Sequence, residues 1–230
     1  MLRSRTLKKL ETKGVEKLIA PLIALLGFVC LIQWLITGDL RWSQTREPIY
    51  SQKQPPLVMK GGDPYVRALM RTISASEANT NRPYSVLYGG KHVNDLSRHP
   101  EVCVTIVNGP NKGNCSTAAG RYQVINTTWK QIASRYHPKP SQFMLWSSYS
   151  FEAEYQDVVV YRWLSDSQVW GTDITQLLRQ GKLNNVLKLL SPTWTSLGYG
   201  IETNSMSRYL PSIYQKMLQD ELKATNKVNS

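Results

Sequence analysis

The longest apolar run in the sequence covers residues 18–37, which include no charged side chain and many Leu and Ile. At about 1.5 Å of rise per residue, a helix of this length spans a hydrocarbon core of roughly 30 Å. A buried core helix is the alternative, but globular helices are seldom apolar on every face over such a length. The pattern therefore predicts a transmembrane anchor over residues 18–37.

The charges that flank this run indicate its orientation. Residues 1–17 carry six Lys and Arg, whereas residues 38–53 carry three. Because positive charges concentrate on the cytoplasmic side, residues 1–17 are expected to form a basic cytoplasmic tail. No small-residue cleavage pattern follows the run, so the anchor is expected to stay uncleaved. These features predict a single-pass inner (cytoplasmic) membrane protein whose main part is periplasmic or otherwise extracytoplasmic.

Residues 38–62 are polar, contain three prolines and show no sustained hydrophobic period, which is typical of a semi-extended linker. The folded domain is expected to cover residues 63–222. Asp63 is a favoured N-cap residue, and Pro64 suits the first helical position. The predicted first helix has an apolar face at i, i+3, i+4 and i+7, formed by Val66, Leu69, Met70 and Ile73.

Glu77 falls at i+11 on this apolar face, at the carboxyl end of the predicted helix. Desolvation and the negative end of the helix dipole both disfavour a charged carboxylate there, so we expect a raised pKa suited to a general acid. A partly exposed carboxylate at a frayed helix end is the alternative. From the helix alone, Glu77 is a candidate acid catalyst.

The remaining pattern predicts a short strand over residues 84–88, with strands and turns continuing to about residue 120. Further helices are predicted at residues 126–136, 151–164, 173–180, 183–190 and 204–222. Residues 223–230 form a polar tail. The fold class is therefore α+β, mostly helical, with one small antiparallel sheet between the first and second helices.

Cysteine and charge content agree with an exported domain. Cys30 lies in the apolar run, which leaves Cys103 and Cys115 as an exported pair that could form a disulfide or remain two free thiols. Neither the cysteines nor the three histidines have metal-ligand spacing, so no metal or cofactor is expected. Of the net charge of +12, residues 63–230 carry +6, which suits an anionic cell-wall polymer; no nucleic-acid motif is present.

Several short motifs also follow one another in a characteristic order along the chain. The set is Ser76-Glu77, the segment 84–90, an Asp-x-x-x-His-Pro sequence at residues 95–100, Gly120-Arg121-Tyr122-Gln123, and Trp194-Thr195-Ser196-Leu197 with Gly198-Tyr199-Gly200. This set resembles the lambda-phage-type endolysins, which are lytic transglycosylases of the lysozyme-like superfamily. The resemblance covers roughly residues 65–215, and the membrane anchor and linker are additions to the soluble form.

The resemblance implies that Glu77 is the sole acid and base acting on the β-1,4 bond between N-acetylmuramic acid and N-acetylglucosamine in peptidoglycan. The product would carry a 1,6-anhydromuramic end. Asp95 is the candidate for a second carboxylate, or it could orient Arg121 or cap a turn. Two alternatives remain: a muramidase that hydrolyses the same bond, and a non-catalytic lysozyme-like glycan-binding module of an envelope complex.

Further substrate-binding residues follow from the same resemblance. Gly120 would allow close approach of the glycan, Tyr122 would offer a ring face and a hydroxyl, and Gln123 would offer its amide. Arg121 would border the cleft with them, although Arg121 and Tyr122 could instead bridge sheet and helix. Tyr199 could stack on a sugar ring. Ala78-Asn79 stands where the family usually has Gly-Thr, and Ser85 where it often has Asp, so the fine positioning of substrate is expected to differ.

Overall fold

A computed structural model of the chain describes residues 54–138, 141–143, 146–199 and 206–228; side chains of residues 141–147 and 228 are not described. The predicted cytoplasmic tail, the predicted transmembrane segment and residues 38–53 lie outside the described part. Within the described residues, no helix is both long enough and apolar enough to cross a membrane.

Seven α-helices and two small antiparallel hairpins are formed by the described residues. The helices are α1 (Pro64–Glu77), α2 (Asn126–Tyr136), α3 (Ala153–Leu164), α4 (Ser167–Trp170), α5 (Ile174–Arg179), α6 (Leu183–Leu190) and α7 (Leu210–Val228). The strands are β1 (Val104–Thr105), β2 (Cys115–Ser116), β3 (Ser141–Phe143) and β4 (Trp146–Ser148), and 3₁₀ turns cover Pro83–Ser85, Thr195–Leu197 and Ser207–Tyr209. This confirms a mostly helical α+β fold with a small antiparallel sheet between α1 and α2.

Helix α1 is the central element of the core. The carboxylate of Asp63 accepts hydrogen bonds from the backbone N–H groups of Tyr65 (2.9 Å) and Val66 (3.3 Å), so the predicted N-cap is confirmed. The predicted apolar face is fully buried, at Val66, Leu69, Met70 and Ile73. Burial of each such side chain contributes roughly 1.5–3 kcal/mol, which holds α1 rigidly and fixes the position of its carboxyl end.

Helix α7 packs along α1 and brings the two ends of the domain together. Glu221 of α7 accepts hydrogen bonds from Arg67 (2.6 Å) and Arg71 (3.1 Å) of α1, and Glu221 and Arg71 are buried. The final helix was predicted over residues 204–222, whereas α7 begins at Leu210. The helix also continues through residues 223–228, part of the segment predicted as a polar tail, because local propensity permits it and α1 supports its earlier turns.

The last part of the predicted linker, residues 54–62, packs against the domain and is called the strap below. Leu57 and Met59 join the hydrophobic core, while Val58 between them is 51% exposed. Gln54 Oε1 accepts a hydrogen bond of 2.6 Å from Ser74 Oγ of α1. The packed region therefore begins before the predicted boundary at residue 63. The sequence did not indicate this, because the alternation of buried and exposed residues is short and adjoins two prolines.

The segment predicted as a strand over residues 84–88 takes a different conformation. A 3₁₀ turn covers Pro83–Ser85, because proline fixes the backbone angle that begins such a turn. The next residues form isolated bridges, Val86 to His92 and Leu87 to Ala119. The β3–β4 hairpin between α2 and α3 was not predicted. It pairs Ser141 with Ser148 across its open end.

Candidate active site

An open cleft of about 880 Å³ lies at the carboxyl end of α1. One wall is formed by residues 76–80, a second by the turn at residues 86–92, and a third by residues 193–196. The tip of the β1–β2 hairpin, residues 106–111, also borders the cleft, with Gln123 nearby. Five separate segments of the chain therefore meet around the end of one helix.

The hairpin that borders the cleft is closed by a disulfide between Cys103 and Cys115, whose Cα atoms are 5.4 Å apart. Ile106 N–H donates to Asn114 O (2.8 Å), and Gly113 N–H donates to Ile106 O (2.9 Å). The disulfide closes the base of the hairpin and these bonds hold its tip. The disulfide therefore helps to fix the hairpin that forms one border of the cleft.

Glu77 is half-buried in the cleft, where the side chain of Ser196 meets it. Ser196 Oγ lies 2.5 Å from Glu77 Oε1 and 2.9 Å from Ser76 Oγ. Ser196 belongs to the 3₁₀ turn Thr195–Leu197, which packs against α1 although it is 119 residues away along the chain. The motif containing Ser196 was recognised in the sequence, but its contact with Glu77 depends on tertiary folding.

Glu77 carries the one carboxylate among the described residues that border the cleft. The other ionisable side chains there belong to Tyr88 and His92. His92 is exposed, and its Nδ1 lies 2.9 Å from Ser85 Oγ. His92 and Tyr88 were not singled out as site residues, because their place in the cleft depends on the turn at residues 86–92. No group of three or more potential metal ligands occurs among the described residues.

Asp95 lies outside the residues that border this cleft. Its exposed carboxylate accepts a hydrogen bond of 2.8 Å from the backbone N–H of Ser97, which closes an Asx turn. The bonds from Ser97, with a smaller contribution from the charge of Arg98, lower the pKa of Asp95. Of the roles considered for Asp95, the structure gives it turn capping, and it brings neither a second carboxylate to Glu77 nor a partner to Arg121.

Gln123 does border the cleft, in a left-handed conformation with φ of 45°. Its side-chain amide nitrogen donates to Val86 O (3.1 Å) and Gly120 O (2.9 Å). Both amide hydrogens are thereby directed to the backbone, and the amide oxygen is the part of this group that could receive a donor from a glycan. Gln123 also joins the turn at residues 86–92 to the Gly120 segment.

Gly120 is buried and packs against α3 rather than bordering the cleft. Its φ is 74°, and a Cβ atom there would collide with Gln156 Oε1 and lie 2.7 Å from Phe151 Cζ. Gln156 Oε1 accepts a hydrogen bond of 2.9 Å from the backbone N–H of Arg121. The close approach that glycine allows in this structure is that of Gln156.

Arg121 is fully buried and is not among the cleft residues. Its guanidinium donates to Pro55 O (2.6 Å) and Pro56 O (3.1 Å) of the strap, and to Tyr84 Oη (2.8 Å). The structure therefore places Arg121 away from the residues that border the cleft. The alternative considered from the sequence, a structural bridge, describes its contacts.

Tyr122 is also buried, and its hydroxyl donates a hydrogen bond of 2.6 Å to Asp157 Oδ1. Asp157 is fully enclosed and also accepts from Tyr84 Oη (2.7 Å) and from Val58 N–H of the strap (2.7 Å). Burial and the neighbouring carboxylate raise the pKa values of Tyr84 and Tyr122, so both phenols remain neutral donors. Tyr122 thus holds the scaffold through Asp157, and it is not among the residues that border the cleft.

Two aromatic residues of the motif at residues 194–200, Trp194 and Tyr199, lie in different parts of the structure. Trp194 is buried, and its indole N–H donates to Tyr122 O at 2.8 Å. Tyr199 is 58% exposed, has φ of 66°, and borders a smaller hollow of about 290 Å³ instead of the cleft that contains Glu77. Stacking of Tyr199 on a sugar next to Glu77 is not favoured by this position.

A mostly helical domain with a small sheet and a glutamate at a helix end in an open cleft is typical of lysozyme-like, glycan-cleaving proteins. The sequence profile of the family described as Endolysin matches residues 67–219. The chain therefore belongs to the endolysin family. This confirms the resemblance found in the sequence and the class of enzyme, a peptidoglycan-cleaving glycosidase.

Two solved structures of bacteriophage lambda lysozyme have the same fold. One, complexed with a chitohexasaccharide, is 22% identical, with a TM-score of 0.51 over 69% of this chain and 97% of the other. The second is 21% identical, with a TM-score of 0.50 over 71% of this chain and 97% of the other. No curated protein sequence matches the chain significantly.

Proposed function

We propose that the protein is a membrane-anchored lytic transglycosylase that cleaves the β-1,4 bond between N-acetylmuramic acid and N-acetylglucosamine. The observation that carries the proposal is the single carboxylate, Glu77, among the described cleft residues, with Asp95 outside them. Hydrolysis by two carboxylates needs a second one across the scissile bond. Intramolecular transglycosylation needs one group that acts first as an acid and then as a base.

Glu77 would serve both steps. The protonated carboxyl gives its proton to the bridging oxygen as the bond from that oxygen to C1 of N-acetylmuramic acid breaks. The resulting carboxylate then takes the proton of the C6 hydroxyl as that oxygen bonds to C1. The product ends in 1,6-anhydromuramic acid, Glu77 is protonated again, and no water is consumed.

Peptidoglycan glycan strands are the proposed substrate. The cleft is open and is bordered by three asparagines, Asn79, Asn108 and Asn111, whose amide groups suit N-acetyl and hydroxyl groups of amino sugars. A lysozyme of the same fold was solved with a chitohexasaccharide, a polymer of one of the two peptidoglycan sugars. The +6 charge of residues 63–230 also suits an anionic wall.

The experiment compares full-length wild-type protein with Glu77→Gln on purified peptidoglycan, with the released muropeptides identified by mass spectrometry. The wild type should release anhydro-muropeptides, and Glu77→Gln should lose at least about 100-fold in rate because it cannot supply a proton. Glu152→Gln is the matched control, since Glu152 is exposed and outside the cleft.

Each result of this experiment has a distinct meaning. If the wild type releases products with reducing ends and Glu77→Gln does not, the reaction is hydrolysis by a muramidase and not transglycosylation. Full activity in Glu77→Gln would remove Glu77 from the mechanism. A folded wild-type protein that binds peptidoglycan but releases nothing would favour the binding module.

The anchor and the localisation belong to the same proposal. They are supported by the apolar run at residues 18–37, by the basic residues that precede it, and by the Cys103–Cys115 disulfide, which suits an oxidising compartment. The full-length protein should stay in the membrane fraction after a high-pH wash, and deletion of residues 18–37 should release it. Retention without that segment would refute the anchor.

A further inference from the structure

The side chain of Gln54 connects the strap to the end of α1 that bears Glu77. Gln54 is buried, and its Oε1 accepts a hydrogen bond of 2.6 Å from Ser74 Oγ. Its Nε2 donates to Ala78 O at 3.3 Å and to Asn79 Oδ1 at 3.4 Å. Ala78 and Asn79 directly follow Glu77 and border the cleft. One residue of the strap therefore contacts the last turn of α1 and the two residues that come after it.

The backbone carbonyl of Ala78 decides the orientation of the Gln54 amide. A carbonyl oxygen can only accept a hydrogen bond, so the Gln54 atom that faces it is the nitrogen, Nε2. The amide oxygen then faces Ser74 Oγ, whose hydroxyl donates to it. Rotating the amide by a half-turn would set its oxygen against the carbonyl oxygen and remove the bond to Ala78. The end of α1 thus leaves the Gln54 amide one favoured orientation.

The orientation of Gln54 in turn sets that of the Asn79 side chain. An NH₂ group has two hydrogens, and the second hydrogen of Gln54 Nε2 is directed to Asn79. The Asn79 atom that faces this donor must be an acceptor, which is Oδ1, and the nitrogen Nδ2 then lies on the other side of the amide. Asn79 is exposed and borders the cleft, and none of the described residues accepts a hydrogen bond from its Nδ2.

We propose that Asn79 binds the glycan through its amide nitrogen and that Gln54 is the positioning residue that fixes this polarity. This role rests on the proposed function, and it specifies how substrate is held next to Glu77. The matching group of the ligand is an acceptor oxygen of an amino sugar, such as the carbonyl of an N-acetyl group. Because Gln54 belongs to the strap, a segment between the predicted anchor and the domain contributes to the cleft.

Gln123 gives the cleft a group of the opposite polarity. Both hydrogens of Gln123 Nε2 are directed to Val86 O and Gly120 O, which leaves the amide oxygen as an acceptor for a ligand. An amide without such partners can rotate and offer either group, whereas backbone carbonyls fix Gln123 directly and Asn79 through Gln54. An N-acetyl group has one N–H and one C=O. A cleft with one fixed acceptor and one fixed donor therefore suits a chain of amino sugars.

The test of the glycan contact measures kcat and KM for peptidoglycan cleavage by full-length wild type, Asn79→Ala and Asn79→Leu. Both substitutions remove the donor, and leucine keeps nearly the size of asparagine. KM should rise about 3-fold to 10-fold in each, the effect of one lost hydrogen bond, while kcat changes less than about 2-fold. Asn81→Ala is the matched control, because Asn81 is exposed two residues further along the chain and is not among the cleft residues. Its KM should equal that of the wild type.

The positioning role of Gln54 is tested by a double-mutant cycle with Asn79→Ala. Gln54→Leu and Gln54→Met both fill the buried space without an amide, and using both guards against a packing defect in either. KM should rise about 2-fold to 5-fold in each, because the Asn79 amide can then rotate. In combination with Asn79→Ala, neither change should raise KM further, since Gln54 has no amide left to orient. A merely structural role would lower activity by the same factor whether Asn79 is present or not.

The outcomes separate failure of this role from failure of the proposed function. An unchanged KM in both Asn79 variants, with anhydro products from each, would overturn the glycan contact and leave the transglycosylase intact. Independent, additive losses in the double variants would overturn the positioning by Gln54. Full activity in Glu77→Gln would instead refute the function on which the contact rests.

Binding without turnover gives a second measurement of the same contact. Full-length Glu77→Gln, with and without Asn79→Ala, is sedimented with insoluble peptidoglycan over a range of concentrations. The added Asn79→Ala should weaken binding about 3-fold to 10-fold. Equal binding by the two proteins would overturn the contact whatever the products of the wild type are.

Discussion

Gly120 shows how a single residue in a recognised motif can serve the scaffold. Gly120→Ala should lower the free energy of unfolding by roughly 2–4 kcal/mol. Alanine is strained at the positive φ of this position, and its methyl group would collide with Gln156. Chemical denaturation monitored by tryptophan fluorescence measures this loss.

Gly171→Ala is the matched control for that change. Gly171 has a φ of 67°, close to that of Gly120, but a Cβ atom there would meet nothing within 4 Å. Its substitution should therefore cost only the backbone strain, about 1 kcal/mol. Equal losses in the two variants would show that the contact with Gln156 is unimportant.

Individual side chains also show where prediction from the sequence stops. Glu77 could be selected because its position relative to the apolar face of a helix is a local property. Arg121 and Tyr122 adjoin the cleft residue Gln123 in sequence, yet their side chains turn to the strap and to Asp157. Adjacency in the chain does not fix which way neighbouring side chains point in an irregular turn.

At the scale of elements, the strap is the main addition to the predicted domain. Leu57→Ala should destabilise the protein by about 2–4 kcal/mol, because this side chain is buried in the core. Val58→Ala, at the neighbouring exposed position, should change stability by less than about 0.5 kcal/mol. Thermal unfolding of both full-length variants measures the difference.

Equal effects of the two substitutions would contradict the packing of the strap.

The backbone of the strap is also bonded to side chains of the domain. Arg121 donates to Pro55 O and Pro56 O, and Asp157 accepts from Val58 N–H. A soluble fragment for activity measurements should therefore begin before Gln54, whose side chain is bonded to Ser74 of α1. A fragment that begins at Gly62 would lack all of these contacts.

Helices and small strands differed in how well the sequence predicted them. The cap at Asp63 and the apolar face of α1 are local signals, and α1 ends at Glu77 as predicted. The segment 84–88 was predicted as a strand from its residue types. Its bridges, however, join it to His92 and Ala119, and its own residue types do not specify these partners. Short β-structure depends on its partner more than a helix does.

At the scale of the whole molecule, stability should depend on pH through His99. This buried imidazole lies 3.0 Å from Val124 O at Nε2 and accepts from Glu101 N–H at Nδ1 (3.1 Å). It also packs edge-on against Phe151, at 4.7 Å between ring centroids. Both bonds are satisfied by the neutral ring protonated at Nε2, and burial lowers the pKa of His99 below its ordinary value of 6.5.

The sign of the effect follows from this lowered pKa. In the unfolded chain His99 takes up a proton as pH falls through about 6.5, whereas the folded protein resists that uptake. Its contribution to stability is thus complete above pH 6.5 and declines as pH falls towards the folded pKa. The difference in Tm between wild type and His99→Asn should be largest near pH 7.5 and should narrow towards pH 5.

His92→Asn is the control for this measurement, because His92 is exposed. A change with pH that His92→Asn shares with His99→Asn would not be assigned to the buried ring of His99. A difference for His99→Asn that does not narrow on acidification would contradict the assignment of a buried neutral ring.

The sequence by itself determined the helical character of the chain, the cap and apolar face of α1, the candidate acid at its end and the family to which the chain belongs. These features depend on periodicity and on residues close together in the chain. Tertiary structure alone decided which side chains surround Glu77. The contact with Ser196 spans 119 residues, and the cleft gathers separate segments of the chain whose meeting depends on how the folded elements pack together.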